Sequence, residues 1–431
     1  MNRGLLRFRQ DRYHANGRAS PTVVFFPWVF TGPDMPQLPP EAAPDPIQQE
    51  ARALFAAGRF AAAEQRFRNI IRQTPDDKSA ALYLAQLALL DNRLDQAEHW
   101  LETRCQDLPA AVPLYRILYY RQDRWADARP FAGISGQAGL ARVLRELEGL
   151  PSYRISGLGG GAQIAFALSE PLPVVRARLN DQEDVLLVID TGAGDLILDR
   201  RLATGLGLSL SQPEPALFAG GLGGELQYAP LERLQFGTLQ IDHLPVQVME
   251  VNRLLAGFFD PHGIDGIIGL NLLRHFDVQL DFGHGELRLY PPGSRPLGPR
   301  SGFPCWLAGE HQLITWGRLR ALELLWFLDS GMAGFSALLS RQTAQRAGLD
   351  PAQQARPVQA FGGGGMLEAG SLPVDRVCIG DVCRASVQAV AVEDFPLETH
   401  FGFFLGGLLA YDFFKPFTLD IDFQGMRARL S

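Results

Sequence analysis

The sequence predicts a multidomain protein, a helical part followed by an all-β part built as two related lobes. Three observations carry this. A 34-residue period runs through residues 51–109. From about residue 170 the texture changes to short apolar runs separated by Gly and Pro, the pattern of an all-β region. That second half then repeats itself at an interval of about 140 residues.

The chain has 431 residues, which allows about three domains. Hydrophobic residues at 46% and charged residues at 20% exclude disorder along its whole length. A net charge of -7 argues against nucleic acid as a partner. No run of about 20 apolar residues occurs, so no transmembrane helix is expected. At the N-terminus Arg3, Arg7, Arg9, Arg12 and Arg18 precede the apolar stretch Val23 to Phe30. Basic then apolar is the order of a secretory signal. Pro27 interrupts the apolar part and no small-x-small cleavage site follows, so a plain N-terminal tail is the other reading. Six prolines over 31–46 have the composition of a linker. Residues 1–45 are therefore expected to be a signal or linker segment.

In the helical part, Ala51, Ala63 and Pro75 recur 34 residues on as Ala85, Ala97 and Pro109, and Phe60 and Phe67 recur as Leu94 and Leu101. Small residues let antiparallel helices approach, and a proline ends the second helix of each pair. A third copy begins at Gln122–Ala128, where Pro130 is expected to cut its second helix short. This pattern resembles the tetratricopeptide repeat. The resemblance implies a protein-interaction array over 46–150, with a protein as partner; a generic pair of helical hairpins is the alternative. Residues 138–149 read as one more amphipathic helix. The glycines of Gly157–Ala162 fit G-x-G-x-x-A loosely, but a strand-like run follows them where a dinucleotide site needs a helix. They are expected to be a hinge within a linker, 151–169, and no cofactor is expected.

The β part divides into lobe 1 (170–295) and lobe 2 (296–431). Val185–Gly192 matches Leu324–Gly331, and each run ends in an Asp-Thr/Ser-Gly tripeptide. Phe276–Phe282 matches Phe417–Phe423, with the offset grown by two residues. Between these anchors each lobe has a glycine cluster, containing Gly221, Gly223 and Gly224 in one and Gly363 and Gly364 in the other. Each lobe also has an apolar-apolar-small element, Gly266–Leu273 and Gly407–Phe414. The lobes are expected to bury a core of their own.

A lone Asp-Thr-Gly means little, but this context is specific. It resembles the pepsin–retropepsin superfamily of aspartic peptidases, which implies a bilobal, retropepsin-like β-barrel fold and a peptide or protein substrate. By that resemblance Asp190 and Asp329 are the catalytic pair. Thr191 and Ser330 tie the two loops together, Gly192 and Gly331 allow their close approach, and the glycine clusters are mobile flap tips. The chemistry is that of two carboxylates too close to ionise together, which share one proton. One departure stands out: Ala410 occupies a position where the family pattern has glycine. A catalytically inactive peptide-binding protein on the same fold is the alternative it leaves open. Tyr228 lies close to the first glycine cluster but not at its tip.

Other chemistry lacks its residues. There is no His-Glu-x-x-His, no Gly-x-Ser-x-Gly and no P-loop, and His275 and His284 have no partners at ligand spacing, so no metal is expected. Cys105 and Cys305 read as lone core residues. Cys378 and Cys383 flank Ile-Gly-Asp-Val, a two-residue hairpin that would set them opposite each other as a candidate disulfide. A disulfide implies an extracytoplasmic location; two reduced thiols on a cytoplasmic hairpin is the alternative.

Overall fold

The computed structural model describes residues 22–24, 46–180, 184–217, 223–255, 258–259, 263–362, 365–393 and 395–431. The expected signal or linker segment lies outside these apart from the strand Thr22–Val24, which pairs in parallel with Gln359–Phe361.

The helical array comprises α1 (Pro46–Ala56), α2 (Phe60–Gln73), α3 (Lys78–Leu90), α4 (Leu94–Arg104), α5 (Val112–Arg121), α6 (Trp125–Ile134) and α7 (Ala138–Glu146). The period has a local cause. Gly58, Asn92 and Asp123 adopt φ of 70°, 53° and 56° just after α1, α3 and α5. Each lets the next amide reach back: Arg59 N to Leu54 O at 2.9 Å, Arg93 N to Ala88 O at 2.8 Å, Arg124 N to Tyr119 O at 2.9 Å. That bond closes the helix with a left-handed cap and sets up the sharp reversal into the next. Ala51, Ala63, Ala85 and Ala97 are fully buried at the helix contacts. Pro130 does not cut α6 short; the helix passes through it to Ile134. The burial of Trp125, Ala128 and Ala132 along one face outweighs the backbone bond lost at the proline.

α3 and α5 are buried almost all round, from Ser79 to Leu90 except Tyr83 and from Pro113 to Arg121. A helix apolar on every side needs neighbours on every side. The outer helices cover one side and the β lobes the other.

In lobe 1 the strand Asp184–Ile189 runs parallel to Gly266–Ile268, with Ile189 beside Ile268. Gly266–Ile268 also pairs antiparallel with Leu196–Asp199. Lobe 2 repeats this with Leu322–Leu328, Gly407–Leu409 and Ala337–Ser340. A six-stranded antiparallel sheet joins the lobes, in the order Ala162–Leu168, Glu286–Tyr290, Asp277–Asp281, Thr418–Asp422, Arg427–Leu430, Phe303–Ala308. Its centre pairs Val278 with Ile421 and Leu280 with Leu419, so equivalent strands meet about a two-fold axis.

Two expectations need correction. Residues 151–169 are not a free linker. Arg154–Ser156 pairs with Gln240–Asp242, and Ala162–Leu168 is an outer strand of the inter-lobe sheet. The glycines between them make a turn, with Gly157 at φ 72° against Thr238 O, where a Cβ would lie 1.8 Å away. Nor is the core of the lobes theirs alone; helices of the array share it. Phe60 of α2 meets Trp306 at 5.2 Å and Phe403 at 5.0 Å between ring centroids, in one cluster with Leu325 and Phe327. Phe404 N donates to Ala56 O at 2.8 Å, and Gln86 of α3 donates to Phe401 O. Apolar side chains on the array's inner face thus find their partners in the lobes.

Candidate active site

Each candidate aspartate follows a buried strand that is held in parallel by the apolar-apolar-small element. Asp190 N donates to Ile268 O at 3.0 Å and Asp329 N to Leu409 O at 2.9 Å. The chain therefore turns at equivalent points in the two lobes, and the two turns meet at the lobe interface.

They are locked by their second residues. Thr191 N donates to Ser330 Oγ and Ser330 N donates to Thr191 Oγ1, both at 3.0 Å. Thr191 Oγ1 in turn donates to Leu328 O at 2.9 Å, and Ser330 Oγ to Ile189 O at 3.1 Å. Each hydroxyl donates once and accepts once, so neither is left unsatisfied in a fully buried position. The third residues allow the approach. A Cβ on Gly192 would lie 2.4 Å from Asp329 Cγ, and one on Gly331 would lie 2.1 Å from Asp190 Cγ. Only glycine fits between the loops.

The two carboxyls are thereby brought together. Gly192 N donates to Asp190 Oδ1 at 2.7 Å, and Gly331 N to Asp329 Oδ1 at 2.9 Å. Asp190 also shares a side-chain hydrogen bond with Asp329. Burial, and then the charge of Asp329, push the Asp190 carboxyl well above the ordinary carboxylate range; the amides of Gly192 and Ala193 oppose this. Two buried carboxyls held this close do not both ionise easily.

Ala410 does not disturb this arrangement. In lobe 1 a methyl at Gly269 would lie 2.1 Å from Gly194 O. In lobe 2 the loop from Asp329 to the strand at Ala337 is two residues longer than that from Asp190 to Leu196. Ala410 is fully buried there, and its amide donates to Ser336 O at 3.0 Å. The longer loop also accounts for the change in offset between the repeats.

The hairpins expected to be flaps are described as stems. Glu214–Leu217 pairs with Gly223–Leu226, which places Gly223 and Gly224 opposite Leu217 and Ala216. In lobe 2 Gly362 pairs with Gly365. Gly221, Gly363 and Gly364 lie outside the described residues. Tyr228 belongs to the core instead, 1% exposed.

Cys378 and Cys383 face each other across the hairpin and are joined, with Sγ–Sγ 2.06 Å. Cys105 and Cys305 are free and buried. His275 and His284 do have acidic partners: Asp123 at 2.9 Å, reached from the helical array, and Asp281 at 3.0 Å. Neither is part of a metal-sized cluster among the described residues.

Sequence reasoning missed Asp195, five residues beyond Asp190. It is 4% exposed and accepts from Asn271 Nδ2 at 2.9 Å, Gln247 Nε2 at 3.2 Å and Tyr120 Oη at 2.8 Å. His311 was missed too; its Nε2 lies 3.2 Å from Gly192 O. Asp195 and Asn271 each lie within or beside a motif, which was the available signal. Tyr120 and His311 carry none, because their contacts cross between domains.

Comparison with known proteins bears on the same segments. The family model described as aspartyl protease matches residues 175–272, and the tetratricopeptide repeat model matches residues 54–116. Among solved structures the chain is similar to a retropepsin-like aspartic protease from Rickettsia conorii, at 18% identity over 33% of this chain and 96% of that one, with a TM-score of 0.23. It is also similar to Basic 7S globulin from soybean, at 10% identity over 65% of this chain and 96% of that one, with a TM-score of 0.37. No curated protein matches the chain. Residues 175–272 therefore match the aspartyl protease family, and residues 54–116 ahead of them match the tetratricopeptide repeat.

Proposed function

We propose that the protein is an aspartic endopeptidase whose single site takes Asp190 from lobe 1 and Asp329 from lobe 2. The observation that carries this reading is the pair itself: two buried, hydrogen-bonded carboxyls, each steadied by the amide two residues on. Water adds to the scissile carbonyl carbon while its proton goes to the ionised carboxylate. The protonated carboxyl gives its proton to the carbonyl oxygen, forming a gem-diol. As the C–N bond breaks, one carboxyl protonates the leaving nitrogen and the other recovers a proton from the diol. No covalent enzyme intermediate forms. An extended peptide lies beneath the flap hairpins, and their closure keeps bulk water out.

The test is peptide-library cleavage from acid to neutral pH by the wild type, Asp190→Asn and Asp329→Asn. Each variant is expected to lose nearly all activity, and the double variant to be scarcely worse, because the pair acts as one unit. Activity should fall at high pH as the shared proton leaves and at low pH as the second carboxylate protonates. Mixing the two single variants should restore nothing, since every chain carries one broken half. Full activity of either variant would sink the reading. Peptide binding without cleavage by the wild type would favour the inactive peptide-binding alternative.

The proposed location is extracytoplasmic, a reading supported by the Cys378–Cys383 bridge, since such bonds persist in oxidising compartments. Mass spectrometry of native protein alkylated without reductant should find both thiols blocked; two free thiols would place it in a reducing compartment. A protein partner of the array would use the outer helices α2, α4 and α6, which keep an exposed face.

A further inference from the structure

Helix α5 reaches the catalytic loop of lobe 1 from two directions. From one side Tyr120 Oη donates to Asp195 Oδ1 at 2.8 Å, a hydrogen bond with both partners buried. Asp195 ends the loop that starts at Asp190, and its other contacts, Asn271 and Gln247, anchor that loop to the rest of lobe 1. Asn271 N additionally donates to Gly194 O at 2.8 Å. From the other side α5 grips the turn at Gly309–His311 of lobe 2. Arg121 Nη2 donates to Gly309 O at 2.6 Å and to Leu307 O at 3.2 Å, and Arg116 pairs with Glu310. Both arginines are almost completely buried. That turn sets His311 against Gly192 O, with the imidazole packed where Gly194 has no side chain; a Cβ there would lie 3.0 Å from His311 Nδ1. Arg274, directly after the element that backs Asp190, donates to the carbonyls of Tyr120 and Arg121 at 3.1 and 2.6 Å.

A buried polar contact of this kind is expensive to leave unmade. A device that only docked the array would need apolar contact alone, and the aromatic cluster around Phe60 and Phe403 already supplies it. The polar contacts of α5 reach instead the Asp190 loop, through Tyr120, and the turn that carries His311 against that loop, through Arg116 and Arg121. We propose that α5 is a built-in positioning element of the catalytic unit, and that Tyr120, through Asp195, holds the Asp190 loop in its working geometry. The array's inner face thus has the chain's own two lobes as its partner. The functional part of this inference rests on the peptidase reading; the structural part does not.

The test uses the full chain and Tyr120→Phe, which keeps the ring beside Trp125, 5.2 Å between centroids, and removes only the hydroxyl. Asn92→Ala is the control: it removes a different contact between array and lobes, Asn92 Nδ2 to Phe423 O at 3.1 Å, and also strains the left-handed turn after α3, so it perturbs the array at least as much as Tyr120→Phe. Hydrogen exchange is read at the amides of 190–195 and, for reference, at Leu280 in the inter-lobe sheet. In Tyr120→Phe the loop amides should exchange about tenfold faster with Leu280 unchanged, while Asn92→Ala leaves the loop as in wild type. Turnover on a short peptide should fall about ten- to hundredfold in kcat with KM within about twofold, as expected for a misplaced catalytic group. Unchanged loop exchange in Tyr120→Phe would overturn the proposal whatever the activity. Faster loop exchange with unchanged kcat would overturn its functional half. Equal loosening by Asn92→Ala would reduce α5 to ordinary docking. If wild type and Asp190→Asn are equally inert, the peptidase reading fails by itself, and the exchange result still decides whether α5 holds the loop.

Discussion

Thr191 and Ser330 bind each other symmetrically, each hydroxyl accepting the other's backbone N–H at 3.0 Å across the lobe interface. Thr191→Ala would strand two buried groups, Ser330 N and Leu328 O. The expected cost is about 2–6 kcal/mol, from about 1–3 kcal/mol for each unsatisfied group. Thr191→Ser keeps the hydroxyl and repeats the choice already made at Ser330, so it should cost under about 1 kcal/mol. Urea denaturation of the two variants measures the difference. Equal stability would mean that the lobes are held together elsewhere.

The glycine-to-alanine difference between the lobes gives a second, asymmetric pair. Gly269→Ala places a methyl 2.1 Å from Gly194 O and 2.5 Å from Asp195 O, both backbone atoms that cannot swing aside. It should displace the Asp190 loop and lower kcat about a hundredfold or more. Ala410→Gly fills no clash and removes only a buried methyl from a roomier loop. It should cost about 1 kcal/mol through backbone freedom and leave turnover nearly unchanged. A large loss of turnover in Ala410→Gly would show that the methyl itself shapes the site.

Much of this site was legible in the chain because local motifs recur. Asp190–Gly192 and Asp329–Gly331 are three-residue units whose partners, Ile268 for the first and Leu409 for the second, lie in equally short motifs, so matching copies implied matching turns. The Cys378–Cys383 pair was legible for the same reason: a two-residue hairpin sets its own register. The union of array and lobes was not. Tyr120 to Asp195 spans 75 residues and Arg121 to Gly309 spans 188, and neither end has a sequence pattern that marks the other. Full burial of α5 was visible only as an apolar helix, which tells that something covers it but not what. Pro130 is tolerated inside α6 because packing of Trp125, Ala128 and Ala132, which no local pattern shows, overrides its helix-breaking tendency.

The raised proton affinity of Asp190 makes a prediction about stability that needs no substrate. Burial and then Asp329 raise this carboxyl in the folded state above its unfolded value of about 3.9. Between those two values the folded protein holds more protons than the unfolded one, so stability falls as pH rises through that window. Asp190→Asn keeps an oxygen for Gly192 N and a donor toward Asp329, and it cannot ionise. The variant should therefore be more stable than wild type at neutral pH, and the gap should close below about pH 4. Thermal unfolding at a series of pH values measures it. A gap independent of pH would mean that the two carboxyls do not share a proton.

The shared core makes the last prediction. Phe55 and Phe60 of the array meet Phe403 at 5.8 and 5.0 Å, and Trp316 carries the Arg59 guanidinium 4.6 Å from its ring. Phe60→Ala should cost about 3–5 kcal/mol, the range for deleting a buried aromatic side chain. If array and lobes form one cooperative unit, helix loss followed by far-ultraviolet circular dichroism and exposure of Trp306 followed by fluorescence should occur at one midpoint, and Phe60→Ala should shift both together. Removing residues 1–150 would bare Leu325, Phe327 and Phe403 to water and leave Asp195 without Tyr120. Such a fragment should bind a hydrophobic dye and unfold without cooperativity. A soluble, cooperatively folding fragment of 151–431 would show that the lobes close their own core and that the array is a separable module.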